Sequence, residues 1–263
     1  MQFKRICLLI AVVPMLLAGS PAAAQSDFRW AGALTSGQKI EVKGVNGSVR
    51  ASASSSGQAE VTATKEARRS NADEVRIEVV PHAGGVTICA VYPDVAGREP
   101  NRCAPGNEGR MNTRENDTVV HFDIHVPYGI AFVGRTVNGE INAEGLQGDV
   151  DAHTVNGSVR IETTGTAVAN TVNGSVNVAM GRADWPNGAT FKTVNGGITL
   201  TLPGVFDADL RAETLNGSIT TDFPVTMSGG EVSRRRLNGR IGNGGRELNL
   251  KTVNGSIKLL RAQ

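Results

Sequence analysis

Thr154-Val-Asn-Gly-Ser-Val159 and Thr171-Val-Asn-Gly-Ser-Val176 stand 17 residues apart and are identical, and six more copies of this hexapeptide surround them. They begin at Gly44, Thr136, Thr193, Thr214, Arg236 and Thr252. The last seven Asn (138, 156, 173, 195, 216, 238 and 254) are spaced 18, 17, 22, 21, 22 and 16 residues, the length of one coil of a solenoid. Across the copies Asn and Gly never vary, Val or Leu precedes every Asn, and Val or Ile stands three residues after it. Those apolar columns are expected to be buried. Upstream, six and four residues before Asn, stand Val150 and Ala152, Ala167 and Ala169, Leu210 and Ala212, and Leu248 and Leu250; downstream, Ile161, Val178, Leu200 and Leu259 continue the alternation. Period-two patterns of this kind are strands with one inward face. The two inward sets are out of phase across Asn-Gly, so the chain bends there, with Gly expected to supply a conformation that other residues resist. The bend leaves open which way the residue before Asn points.

Asn-Gly between alternating strands is also the signal of a type I′ hairpin. A hairpin does not require the same Thr and Val in each copy, whereas parallel coils ~4.8 Å apart reward identity with ladders of amides and β-branched side chains. The reading is therefore an all-β, right-handed parallel β-solenoid (β-helix) built from T-V-N-G-S-V coils of about 16–22 residues, the hand taken from the crossover preference of β-strands. Asn46, Asn138, Asn156, Asn173, Asn195, Asn216, Asn238 and Asn254 are expected to form its ladder. Between the first two copies lie strand-like stretches 59–64, 75–80, 86–91 and 118–126 with no linker before Phe132. Residues 25–263 thus read as one domain: a less regular part, 25–130, with an insertion at 89–118, and the regular coils, 131–263.

Residues 1–24 pair Lys4 and Arg5 with an apolar run and end in Ala22-Ala23-Ala24, the pattern of a signal peptide cleaved after Ala24; the run, broken by Pro14, is too short to span a bilayer. The expected location is the periplasm or outside the cell. Without Lys4 and Arg5 the chain carries 25 basic residues against 25 acidic ones, which removes any argument from net charge to nucleic acid. Cys7 lies in the leader, so Cys89 and Cys103 remain and are expected to form a disulfide closing the Pro- and Gly-rich stretch that follows.

Chemistry is sparse. His121, Asp123 and His125 share one strand face, but the histidines start ~13 Å apart, too far for one zinc ion, and a solvated face is the simpler reading. Seven residues before Asn stand Asp149, Asp209, Glu231 and Glu247, with Arg211, Arg234 and Arg246 nearby. Salt-linked surface is favoured there over a calcium site or the clustered carboxylates of a polysaccharide-cleaving β-helix. No nucleophile elbow, phosphate loop or zinc-protease motif occurs, so no catalytic, cofactor or metal residue is assigned. The better lead is three residues before Asn: Arg135, His153, Asn170, Lys192, Glu213, Arg235 and Lys251, mostly basic and outward by strand parity. Arg135, Lys192, Arg235 and Lys251 are the candidate binding face, with Arg50, Arg160 and Lys258 a second column, both suited to anionic glycans. Arg234-Arg235-Arg236 lacks interleaved aromatics and is no stacking platform for nucleic acid.

Phe28-Arg-Trp30, the Gly44–Val49 copy, Gly85-Val-Thr-Ile-Cys89-Ala-Val-Tyr92-Pro93, Val126-Pro127, the serial T-V-N-G-S-V coils and Leu202-Pro203 together resemble the bacterial adhesin-type β-solenoid family called toast-rack domains, from about Phe28 to Leu260. The resemblance implies a β-helix-like fold at the cell envelope and carries over no catalytic residue. The function expected is a non-enzymatic, adhesin-like binding or scaffolding surface, without cofactor, nucleic acid or transmembrane segment. The alternatives are a polysaccharide-processing β-helix enzyme, or self-assembly through solenoid ends, where the final strand 256–260 would lie exposed.

Overall fold

The computed structural model describes residues 26–227 and 233–263. The leader with Cys7, and Glu231 of the acidic column, lie outside them. Apart from one 3-10 turn (Ala72–Glu74) the regular structure is all strand. The strands are β1 (Ser26–Gly32), β2 (Lys39–Lys43), β3 (Val49–Ala53), β4 (Ala59–Glu66), β5 (Arg76–His82), β6 (Gly85–Val91) and β7 (Val119–Val126). The repeat follows with β8 (Ala131–Arg135), β9 (Ile141–Leu146), β10 (Val150–His153), β11 (Val159–Thr163), β12 (Ala167–Asn170), β13 (Val176–Met180), β14 (Ala189–Lys192) and β15 (Ile198–Leu202). It closes with β16 (Ala208–Asn216), β17 (Ile219–Thr221), β18 (Thr226–Met227), β19 (Arg236–Ile241), β20 (Glu247–Asn254) and β21 (Ile257–Arg261).

Two sheets face each other. Sheet A runs β1-β4-β7-β3-β9-β11-β13-β15-β21-β17 and sheet B runs β18-β19-β16-β20-β14-β12-β10-β8-β2-β6-β5. Each coil contributes one parallel strand to each sheet, with Asn-Gly at the corner between them; β10 pairs β8 and β12, while β11 pairs β9 and β13. The inward residues are small and mostly branched: Val150, Ala152, Val159, Ile161, Ala167, Ala169, Val176 and Val178 are all buried. Burying each larger one contributes ~1.5–3 kcal/mol.

Each letter of the hexapeptide has its own task at the corner. The Thr column points inward (Thr193 is 1% exposed), and each hydroxyl donates to the Gly carbonyl of the preceding coil: Thr154 to Gly139, Thr171 to Gly157, Thr193 to Gly174 and Thr252 to Gly196, all at 2.8 Å, and Thr214 to Gly255 at 2.7 Å. The Asn amides face out and bond one another, Asn156 to Asn138 and Asn173 to Asn156 at 2.7 Å. Gly is required for space: a Cβ on Gly157 would lie 2.1 Å from the carbonyl oxygen of Gly139, and one on Gly196 2.0 Å from that of Gly174, although neither has positive φ. The expected conformational role holds at Gly47 (φ 124°) and Gly174 (φ 156°), and close approach of the backbone accounts for the other corners. The residue before Asn points outward, with Val137, Val155 and Val172 each 38% exposed and Leu215 61% exposed, so the expectation that this column is buried fails beyond the first copy, where Val45 is buried.

The coils do not stack in chain order. Asn254 donates to Asn195 and Asn216 donates to Asn254, so the coil β20–β21 sits between β14–β15 and β16–β17. At the other end Asn46 stacks on Asn138 across 92 residues, and β6–β7 lie outside β2–β3. The final strand is therefore interior, correcting its expected exposure, and antiparallel strands cover the ends: β4 and β1 on β7, β5 on β6, β19 and β18 on β16. Asn238 belongs to no rung. Its copy begins with Arg236 in place of Thr and runs antiparallel in β19, where Asn238 faces Arg211.

Cys89 and Cys103 are bonded with their Cα atoms 5.7 Å apart, and the segment beyond them folds over the β2 end of sheet B. Fully buried Glu41 accepts from Arg135 Nε (3.2 Å), Thr87 Oγ1 (3.1 Å) and the Gly106 main-chain N–H (2.9 Å), while Lys43 donates to the Ala104 and Gly106 carbonyls and lies 3.6 Å from Glu41. Burial pushes the Lys43 ammonium below the usual lysine value, against the pull of Glu41. Tyr92 closes the base of the flap by donating to the Thr118 carbonyl at 2.7 Å.

Two consequences are measurable. Thr171→Ala should cost ~1–2 kcal/mol by leaving the Gly157 carbonyl short of a donor, and Gly157→Ala ~3 kcal/mol because backbone must move; equal or negligible losses in chemical denaturation would contradict the corner geometry. Glu41→Ala strands Lys43 without its counter-charge and should cost ~3–5 kcal/mol, with segment 92–118 becoming the first site of limited proteolysis. Unchanged protease resistance would contradict the latch.

Candidate functional site

On the outward side of sheet B, cations of successive coils become neighbours. On a strand with alternating burial, residues three and five before Asn both point to solvent, and parallel pairing sets them in rows ~4.8 Å apart. The register runs Lys43, Arg135, His153, Asn170, Lys192, Lys251 and Glu213. Because β20 inserts between β14 and β16, Lys192 and Lys251 become direct partners although 59 residues separate them.

Around this pair lies a shallow depression of about 450 Å³ that also takes in Thr190, Arg211, Glu213, Arg236, Asn238 and Asn249. Arg236 donates to Glu213 at 2.8 Å, Lys251 lies 3.8 Å from Glu213, and Arg211 lies 3.6 Å from Glu247. Four cations thus face two carboxylates, and among the described residues Lys192 has no carboxylate within 4.0 Å. The Arg236 hydrogen bond, with the charges of Arg236 and Lys251, holds the Glu213 carboxyl below the usual carboxylate range, so it stays anionic into mildly acid solution.

The other predicted members of the face behave differently. Arg135 is half-buried and spent on Glu41 (3.2 Å) and Asp151 (3.7 Å), and His153 lies 2.5 Å from the same Asp151, so the middle of the row is internally neutralised. Arg235 is not in the column; it stands in the turn before β19, its carbonyl accepting from Thr214, and Arg236 takes the place beside Glu213. The second basic column does not assemble, because Arg50 and Arg160 are separated by Asn142 and Lys258 pairs with Thr199 and Thr220. Sequence reasoning names Arg211 beside the acidic column and Arg236 in the triple-arginine run but places neither on this face, because their positions depend on coil order and on the antiparallel β19.

Among the described residues the members of the acidic column are each engaged by their own partner. Asp209 and Glu247 are register partners, but Asp209 accepts from the Gly245 N–H at 3.1 Å and Glu247 is turned to Arg211, while Asp149 accepts from the Thr166 N–H at 2.8 Å. His121 pairs with Ser48 (2.8 Å) and His125 with Ser52 (3.0 Å), each on its own neighbour. Among the described residues no group of three or more His, Cys, Asp or Glu is placed to hold a metal ion, and no helix is long and apolar enough to cross a membrane.

Among solved structures, the chain is similar to a "putative cell adhesion protein" of Clostridium sporogenes, at 13% identity and TM-score 0.45 over 90% of this chain and 100% of the other. It is also similar to a "putative adhesin" of Bacteroides fragilis, at 11% identity and TM-score 0.37 over 90% and 97%. A "putative lipid binding protein" of Parabacteroides distasonis follows at 13% identity and TM-score 0.26 over 92% and 98%. No curated protein matches. Residues 135–260, from the last residue of β8 into β21, match the family model described as Toastrack DUF4097, and over that segment the chain is similar to Toastrack domains.

Proposed function

We propose that this protein is a non-enzymatic, adhesin-like module of the cell envelope whose sheet B face binds anionic polysaccharide. The observation that carries the reading is the register pairing of Lys192 with Lys251, flanked by Arg211 and Arg236, on a rigid and open surface. A polyanion laid along the solenoid axis meets these cations in successive rows, and charge attraction of this exposed kind is strongest for repeating anions and is screened by salt. The depression is open to solvent and surrounds no enclosed cavity, which favours a polymer over a metabolite. An envelope location agrees with the disulfide and with the leader pattern of residues 1–24. The non-enzymatic reading is supported by Asp209 and Glu247, which are engaged by a main-chain N–H and by Arg211.

The test is binding of residues 25–263 to sulfated, uronic-acid and neutral polysaccharides at two salt concentrations, with the polymers then analysed for cleavage. Salt-sensitive binding to the anionic polymers alone is expected. Removing both cations in a Lys192→Ala/Lys251→Ala double variant should weaken it, at up to about 1 kcal/mol or fivefold in Kd for each lysine. Equal binding by the double variant, or cleavage of the polymer, overturns the proposal.

Glu213 gives a pH signature of definite sign. Its carboxyl is held low, so it opposes an anionic ligand at neutral pH and stops doing so only as pH falls below the ordinary carboxylate range. Binding of a sulfated polymer, which stays anionic there, should tighten over that acid range. Glu213→Gln should bind more tightly than the parent at neutral pH and lose that part of the dependence; weaker binding at neutral pH would place the ligand elsewhere.

A further inference from the structure

Asn followed by Gly is the dipeptide in which the backbone most readily attacks its own side chain, because Gly has no Cβ in the way. The Gly nitrogen gives up its proton and bonds to the Asn Cγ, the side-chain nitrogen leaves as ammonia, and water opens the resulting succinimide to aspartate or isoaspartate. A chain built on repeated Asn-Gly corners carries this hazard in every coil. The ladder removes it by holding both reacting groups.

In six rungs, from Gly47 to Gly255, the Gly N–H donates at 2.9–3.0 Å to the main-chain carbonyl of the Asn in the next rung. The attacking nitrogen is therefore committed to another bond. Each interior carboxamide is fixed at both ends as well: Asn173, for example, donates to Asn156 and accepts from Asn195, both at 2.7 Å.

Asn216 is where the series stops. Its carboxamide donates to Asn254 at 2.8 Å, but no further rung lies beyond it to donate to its oxygen, and among the described residues the Gly217 N–H has no acceptor. The chain returning through Arg234 and Arg235 bonds only the flanks of this corner, accepting from Ile219 and Thr214, and leaves Leu215 to Ser218 exposed. Asn238 is not equivalent, because Gly239 is held in β19 between β16 and β18.

We infer that Asn216 is the ladder's site of spontaneous deamidation, converting to aspartate or isoaspartate while the rungs below it remain amides. The new carboxylate cannot donate to the Asn254 amide oxygen, so two oxygens replace a hydrogen bond at the last rung. An isoaspartyl link also adds a main-chain atom where Gly217 packs directly on the Gly255 carbonyl. The change unlocks the end of sheet A formed by the three-residue β17.

The experiment is peptide mapping by mass spectrometry of the folded protein held at mildly alkaline pH, beside the same protein in denaturant. In the folded sample Asn216 should convert about tenfold faster or more than Asn156, Asn173 and Asn195, whose reaction requires local opening of the stack; in denaturant the rates should converge. Equal conversion of interior rungs and Asn216 in the folded protein overturns the inference, as does an Asn216 that keeps its amide when folded and loses it when unfolded.

Discussion

The corner of each coil brings two main chains so close that no side chain fits between them, and the rest of the molecule is arranged around that contact. A Cβ on Gly157 or Gly174 would sit 2.1 Å from the carbonyl oxygen of the Gly below, which is why Gly is invariant. That carbonyl faces into the interior, where an unmet acceptor is costly, and the Thr hydroxyl of the next coil meets it. With Thr turned inward, strand alternation turns the following Val outward and leaves Asn on the surface to bond its own kind. The first copy has Gly44 in place of Thr because the coil beyond it, β6–β7, has no Asn-Gly corner, and Gly47 packs instead against the Val120 carbonyl.

This frame converts sequence into a surface lattice. Which residues become neighbours on it depends on the order of the coils, and here the order departs from the chain. Were the coils stacked sequentially, Glu213 would flank Lys192 and neutralise it. Insertion of β20 puts Lys251 there and moves Glu213 one row outward, where Arg236 of the antiparallel β19 engages it. The cationic face is thus a product of topology as much as of composition, in a chain whose formal net charge is only +2. At the opposite end the same face is closed by the disulfide-tethered flap, whose carbonyls occupy Lys43 and whose Gly106 N–H occupies Glu41. The open part of the face begins at Arg135.

The solenoid, the inward sets and the disulfide partners were legible because each rests on local pattern: strand alternation, an invariant corner and a count of two cysteines. Coil order was not, since identical rungs are interchangeable and the ladder is satisfied by any permutation. One signal was present in the sixth position of the regular series, where Arg236 replaces Thr: this copy lacks the hydroxyl that meets a Gly carbonyl in the other regular coils, and Asn238 forms no rung. From that substitution the misplacement of Arg235 and the part played by Arg236 could have been inferred. The outward Val column was misjudged for a simpler reason. Apolar identity suggests burial, yet Val137, Val155 and Val172 are each 38% exposed, an arrangement that repetition makes tolerable.

Coil order also decides how the stack is held at its ends. In a solenoid assembled in sequence, the first and last coils contact one neighbour each and are the first to fray. In this chain the earliest Asn-Gly coil, β2–β3, has β6–β7 outside it, and the latest, β20–β21, has β16–β17 outside it. Both are paired on two sides, while the outermost coils are internal segments, with antiparallel strands on β7, β6 and β16 and with β17 at the edge of sheet A among the described residues. Rungs separated by 92 residues at Asn46–Asn138 and 59 at Asn195–Asn254 must then close across long loops, which raises contact order and slows folding. The same pairing slows loss of the ends once formed, because releasing either terminal coil breaks contacts on both of its faces. The crossed coil order therefore exchanges rapid assembly for resistance to end-fraying, without additional core.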